Sequence, residues 1–195
     1  MSGGQYGEDA ILLDYFKGKK GFLVDVGAAN GRDNSNSIRL LEQGWSGLLV
    51  EPDPDQYAEL LGLWFHRIPD VIAKECACGS VEREETFWSC GQVSTLDPEW
   101  KARCELKHKV TYVPHRVQVK RLDNLLLDAF PRVNKINFLS IDCEGRDKDA
   151  IQSLSINIYQ PDLICVESRA AGHWTEQFGY EFAFETRGNR FWRRK

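Results

Sequence analysis

The sequence predicts an α/β fold organised around an open, largely parallel sheet covered by helices. Three observations point there. Phe22 to Val26 is a short apolar run, broken only by Asp25 and stopping abruptly in small residues, as expected of a strand buried on both faces. Gly27-Ala28-Ala29-Asn30-Gly31 follows and leads through polar residues into Ser37-Ile38-Arg39-Leu40-Leu41, a helical pattern; strand, glycine turn and helix make the first half of a nucleotide-binding βαβ unit. Further short apolar runs then alternate with helical patterns, with no internal repeat and no linker rich enough to divide the chain. At 195 residues, a single domain spanning 1–195 with a sizeable core is expected.

In chain order, Met1 to Gly4 reads as a flexible lead-in, and residues 10–16 as an amphipathic helix ended by Lys17-Gly18. After the first βα unit, Leu48-Leu49-Val50 is a second buried strand closing on Glu51-Pro52. Asp53-Pro54-Asp55-Gln56 starts a helix: Asp53 can cap it, Pro54 suits the first helical position, and Gln56 stands at capping-box spacing. Tyr57, Leu60, Leu61 and Trp64 lie on one face of that helix, and residues 71–78 follow as a third strand. Between 81 and 119 the pattern is less regular, with Thr86-Phe87-Trp88 and residues 113–119 as strands flanking a loop that contains Gln92 to Leu96. Residues 122–127 read as a helix, 136–142 as the fourth principal strand, Ala150, Ile151 and Leu154 as a helix, and Leu163 to Val166 as a fifth strand ending in Glu167. Residues 180–184 and 190–193 form a closing strand pair with Arg187-Gly188-Asn189 as its turn.

Composition excludes several classes. With 42% hydrophobic and 28% charged residues the chain is not disordered, and a net charge of −4 with pI ≈ 5.6 opposes a general nucleic-acid binder. The basic end, Arg190, Arg193, Arg194 and Lys195, is too short to change that. No apolar run reaches membrane-span length and no signal-peptide pattern opens the chain, so a cytoplasmic location is expected. Of six cysteines, Cys143 and Cys165 lie in or beside apolar runs; Cys76, Cys78, Cys90 and Cys104, near His108 and His115, match no common zinc spacing. Free thiols and no metal are expected.

A dinucleotide turn needs glycines spaced G-x-G-x-x-G to hug a pyrophosphate, and here Ala29 takes the second position. The D-x-G-A-x-x-G turn better suits S-adenosylmethionine, which carries no phosphate; a tight turn without a ligand is the plain alternative. Gly27 and Gly31 would let backbone approach the ligand closely. Asp25, Glu51, Asp142 and Glu167 stand at or near the carboxyl ends of four strands, the edge where open α/β sheets bind ligands. Glu51 has the spacing of an acid that accepts both ribose hydroxyls, which a carboxylate does well. Any one of these could be a solvated strand-end acid, but four together argue for a site.

Several segments carry a more specific resemblance: Gln5-Tyr6-Gly7-Glu8-Asp9, residues 21–31, Ser35-Asn36-Ser37, Gly44-Trp45-Ser46-Gly47, Glu51-Pro52, residues 138–145 with Ser140-Ile141-Asp142-Cys143-Glu144-Gly145, and Gly188-Asn189-Arg190-Phe191. On them the chain resembles the FkbM-type S-adenosylmethionine-dependent methyltransferases. The resemblance implies a Rossmann-like class I fold with a mostly parallel seven-stranded sheet, helices on both faces and an antiparallel terminal strand. It also implies O-methyl transfer to the hydroxyl of a small-molecule or carbohydrate acceptor. Ala29-Asn30 replaces a more usual acidic pair, the 93–96 loop differs slightly, and residues 78–119, which would shape the acceptor site, match least.

With the cofactor laid over the first two strands, Asp25, Gly27, Ala28 and Asn30 would line its methionine and ribose side. Glu51 would hold the ribose with Pro52 beside it, and Cys76 and Ala77 would border the adenine. Asn36 would bond the cofactor's carboxylate, Gln5 would join from the N-terminal motif, and Asp142 would face the sulfonium. Asp142, Glu144 and His173 are the catalytic candidates, with Glu167 a further possible base; His173 has the most suitable ordinary pKa. A magnesium ion held by Asp142, Glu144 and Glu167 would have suitable hard ligands but is not expected. Three rival readings share parts of this pattern. They are an RNA ribose 2′-O-methyltransferase, opposed by the acidic charge; an NAD-dependent oxidoreductase, opposed by the missing glycine; and a non-catalytic cofactor-binding module.

Overall fold

The computed structural model describes residues 4–167 and 175–195. In chain order its elements are α1 (Glu8–Phe16), β1 (Phe22–Val26), α2 (Ile38–Glu42), β2 (Ser46–Val50), α3 (Pro54–Trp64), β3 (Val71–Lys74), β4 (Ala77–Cys78), β5 (Arg83–Ser89), α4 (Pro98–His108), β6 (Val113–Lys120), α5 (Leu122–Ala129), β7 (Phe138–Ile141), α6 (Asp147–Gln152), α7 (Ile156–Tyr159), β8 (Leu163–Val166), β9 (Tyr180–Glu185) and β10 (Arg190–Arg194). Seven strands form one sheet in the order β3-β2-β1-β7-β8-β10-β9. The first five run parallel, and β10 inserts antiparallel between β8 and β9. This is the seven-stranded, mostly parallel sheet with a reversed terminal strand that the sequence led us to expect.

Period-two alternation along β1 separates the two layers. Phe22, Val24 and Val26 pack with Leu122 and Leu126 of α5, Ala150 and Ile151 of α6, and Ile156 of α7. Leu23 points the other way, into a cluster with Leu12 and Phe16 of α1, Leu40 and Leu41 of α2, and Leu60 and Trp64 of α3. All five residues of β1 are buried, so both faces of the strand are covered. The continuous apolar runs of the sequence follow from that burial.

Asp53 caps α3 as its sequence suggested, its Oδ1 accepting from the Asp55 and Gln56 backbone N–H groups at 3.1 Å each, with Pro54 at the first position. The reciprocal half of the capping box is replaced, because the Asp53 N–H donates to Glu51 Oε1 at 2.8 Å.

Two expectations fail in the 71–119 region. Residues 71–78 are not one strand: β3 ends at Lys74, the chain turns so that the Cys76 N–H returns to the Lys74 carbonyl at 3.2 Å, and Ala77–Cys78 joins a second sheet. That sheet has the order β4-β6-β5, with β4 parallel and β5 antiparallel to β6. An apolar run records burial but not a change of pairing partner. Residues 98–108, within the stretch whose pattern is less regular, form α4. Asp97 Oδ1 accepts from the N–H groups of Glu99 (2.8 Å) and Trp100 (3.0 Å) and Pro98 stands first, the same start as at Asp53-Pro54. Cys104 is its one buried residue, so no apolar stripe announced the helix.

Candidate functional site

A cavity of about 520 Å³ opens at the carboxyl ends of β1, β2 and β7. The small sheet and α4 wall it from above through Phe87, Leu96, Trp100 and Cys104. Its size falls in the range of small-molecule sites.

The turn after β1 is stitched to β2, with the Gly27 and Ala28 N–H groups donating to the Val50 carbonyl at 2.9 and 3.1 Å. Gly27 has φ +79°, and a Cβ there would sit 1.8 Å from the Asp142 carbonyl oxygen. Gly31 has φ +69°, and a Cβ there would meet Leu60 Cδ1 at 2.4 Å. Both glycines admit neighbouring protein atoms, the residue after β7 in one case and α3 in the other, and Gly27 also lines the cavity.

Glu51 is buried and anchored. Its Oε2 accepts from the Ala29 N–H and its Oε1 from the Asp53 N–H, both at 2.8 Å. Burial raises its pKa to about 7 against the lowering effect of these two donors, with Asp53 and Asp25 adding to the rise. Each oxygen keeps a further acceptor direction, so the carboxylate can still receive hydroxyl donors.

Across the sheet, Asp25, Ser140 and Cys165 stand in register on adjacent strands. Asp25 accepts from the Ser37 hydroxyl at 2.6 Å, and burial raises its pKa while Ser37 and Ser140 oppose the rise. It therefore ties the start of α2 to the sheet. Asn36 reaches Cys165, its Nδ2 3.7 Å from Sγ, while its carbonyl Oδ1 is buried without a partner.

The third group is acidic. Carboxylate oxygens of Asp142, Glu144 and Glu167 all lie within 4.8 Å of one another, a donor set that could hold a divalent cation or share protons. Burial drives the Asp142 pKa well above the carboxylate range, reinforced by Glu167, Glu144 and Asp147. Burial likewise lifts Glu144 to about 8 and Asp147 to about 6, with Glu167 contributing to both. Asp147 is pinned by the Cys143 N–H at 2.8 Å. Asp142 Oδ1 is buried and unpartnered.

Gln5, Asp25, Gly27, Ala28, Asn36, Glu51, Pro52, Cys76, Ala77, Asp142 and Glu144 all line this cavity, so residues from six separate segments meet there. Asn30 is not on its wall. Its side chain organises the turn instead, Oδ1 accepting from the Arg32 and Asp33 N–H groups and Nδ2 donating to Asp33 and Glu59. His173 lies outside the described residues. Sequence reasoning missed Ser140, Trp100 and Asn189 as site residues. The Asp97-Pro98 start could have revealed the helix carrying Trp100, and Ser140 and Asn189 stand in two of the segments that carry the family resemblance.

The strand order, the reversed last strand β10 and a cavity at the carboxyl edge define a Rossmann-like methyltransferase fold. The chain belongs to the FkbM methyltransferase family, whose domain matches residues 25–190. That family implies S-adenosylmethionine as methyl donor. The fold is similar to the FkbM methyltransferase of Methylobacillus flagellatus KT at 14% identity and TM-score 0.56, covering 89% of this chain and 43% of that one. It is also similar to yhhF of Escherichia coli, a proposed methyltransferase, at 12% identity and TM-score 0.50, covering 96% and 84%. This chain thus spans less than half the length of the Methylobacillus protein. Comparison with curated proteins gives no match. Among the described residues, no helix is long and apolar enough to cross a membrane.

Proposed function

We propose that the protein is an S-adenosylmethionine-dependent O-methyltransferase acting on a hydroxyl of a small-molecule or glycan-type acceptor. The observation that carries this reading is the meeting, in one cavity, of a ribose-type acid, Glu51, with the Asp142–Glu144–Glu167 cluster. The fit to the cofactor is supported by the lining, where the Glu51 carboxylate keeps acceptor directions for hydroxyl donors and the neutral amides Asn36 and Gln5 share the cavity. When bound, S-adenosylmethionine supplies an electrophilic methyl group. Glu51 would receive the ribose hydroxyls with Pro52 beside it, while Cys76 and Ala77 border the base. Gly27, Ala28, Asn36 and Gln5 would line the amino-acid side, and Asp25 would brace that wall through Ser37.

In-line displacement is accelerated largely by positioning, so the residues' main work is to hold the acceptor oxygen in line. Asp142 would take the acceptor's hydroxyl proton, with Glu144 and Glu167 orienting it. Because burial and mutual repulsion raise the pKa of Asp142 and Glu144, proton acceptance becomes easier as pH rises. Calorimetry with S-adenosylhomocysteine and with NAD tests the cofactor class: binding of the former alone is expected, and binding of NAD alone would overturn the reading. Methyl transfer from labelled cofactor to hydroxylated acceptors then tests the reaction.

A further inference from the structure

Helix α4 crosses the cavity with one face turned into it. Trp100, Cys104, Lys107 and His108 all line the cavity, and at about 100° per residue they fall within an arc of about 100° on the helix surface. The start of the helix is docked beside the acidic cluster. The Thr95 hydroxyl donates to the Glu144 carbonyl at 2.7 Å, and a Cβ on Gly145 would lie 3.4 Å from the Cβ atoms of both Asp97 and Trp100. Lys107 and His108 belong to the last turn of the helix, so a rise of about 1.5 Å per residue puts them about 10–12 Å beyond Trp100 along the wall.

Charge is not spread evenly over the cavity. Asp25, Glu51, Asp142, Glu144 and Glu167 make its sheet side acidic. Arg146 also reaches the lining, but its Nη2 already donates to Glu85 at 3.2 Å and to the Leu96 carbonyl at 3.4 Å. Lys107 and His108 are exposed, and among the described residues neither has an ion pair. Other cations of α4 are engaged: Lys101 pairs with Glu105 at 2.6 Å, and the Arg103 guanidinium lies over the Trp100 ring at 4.8 Å. A cation in the last turn also suits the helix dipole. That reason serves Lys109 equally, which ends the helix without lining the cavity.

Resting on the methyltransferase reading, we propose that Lys107 and His108 bind an anionic group of the acceptor: a phosphate, a sulfate or a carboxylate. Lysine supplies a full charge and three donors, and an imidazole N–H supplies another. The reacting hydroxyl then lies beside Asp142 and Glu144, about 10 Å from the charged end, and the body of the acceptor runs along Trp100 and Cys104. The acids repel an anion while the far wall attracts it, so the field of the cavity orients the acceptor with its charge outward. The substrate class is accordingly a small glycan carrying an anionic group remote from the methylated hydroxyl.

Calorimetry on the full chain saturated with S-adenosylhomocysteine compares lactose with lactose 1-phosphate, lactose 6-sulfate and lactobionate. These three carry the charge at the glucose end and leave the galactose hydroxyls free. At least one of them should bind ~10-fold tighter than lactose, and which one does so identifies the anion. Lys107→Gln should bring that sugar to within about twofold of lactose. Lys109→Gln, the same loss of charge off the cavity, should keep the preference. S-adenosylhomocysteine itself should bind the wild type and Lys107→Gln within about twofold of each other. The proposal is overturned if lactose binds as well as all three charged sugars, or if none of the four binds. It is overturned equally if Lys107→Gln keeps the preference or if Lys109→Gln also abolishes it. Selective weakening of S-adenosylhomocysteine by Lys107→Gln would assign the cations to the cofactor and overturn it too. A wild type that does not bind S-adenosylhomocysteine overturns the cofactor reading on which the proposal rests.

Discussion

Glu51→Gln tests the ribose assignment and the electrostatics behind it together. In the free protein burial holds the carboxyl pKa at about 7, up from 4.5. Ribose hydroxyls donate to the ionised form, so binding should draw the proton off. The sign follows: below pH 7 the protein must lose a proton to bind, and affinity rises with pH until the group is ionised in the free state. With a pKa of about 7 the ionised fraction goes from about a tenth at pH 6 to about nine-tenths at pH 8, so the wild-type dissociation constant for S-adenosylhomocysteine should tighten about tenfold. Glu51→Gln should lose the charged acceptor, weakening binding by about 1.5–3 kcal/mol at pH 8 and flattening this pH dependence. The variant will also cost stability. Glu51 accepts from two backbone N–H groups, and an amide can accept from one and must oppose the other, leaving a donor unpaired at about 1–3 kcal/mol. Calorimetry at pH 6, 7 and 8, with urea unfolding in parallel, reads both effects. If the variant binds as tightly as the wild type, or keeps the same pH dependence, Glu51 does not hold the ribose.

S-adenosylhomocysteine at saturation should raise the melting temperature, since a ligand bound to the folded state alone adds about 2.7 kcal/mol at a hundredfold excess over its dissociation constant. No shift at millimolar ligand would contradict the cofactor reading. Asp142→Asn should leave folding intact and lower turnover at least ~10²-fold, and the rise of turnover with pH should fade with it; unchanged single-turnover rates would remove Asp142 from the reaction. Gly27→Ala should block correct folding, because the new Cβ would overlap the Asp142 carbonyl at a φ that disfavours side chains, and circular dichroism with urea titration would detect it. Asp97→Ala should destabilise by about 1 kcal/mol through loss of the α4 cap; an unchanged urea midpoint would mean the cap contributes nothing.

Sequence alone determined the layered fold, because the signals involved are local. The apolar run at 22–26 with its glycine turn, the Asp53-Pro54 start and the strand pair around Gly188 each encode their own conformation within a few residues. The acids at strand ends were legible for the same reason: in a parallel sheet the carboxyl ends share one edge, so a position along a strand is also a position in space. Tertiary structure decided the rest. The break at Lys74, the use of Gly27 to admit Asp142, the anchoring of Glu51 by Ala29 and Asp53, and the joint from Glu8 to Asn189 are all pairings between distant residues. Such a pairing leaves no periodicity in either segment, because hydrogen bonding and steric fit depend on which atoms the folded chain brings within about 3 Å.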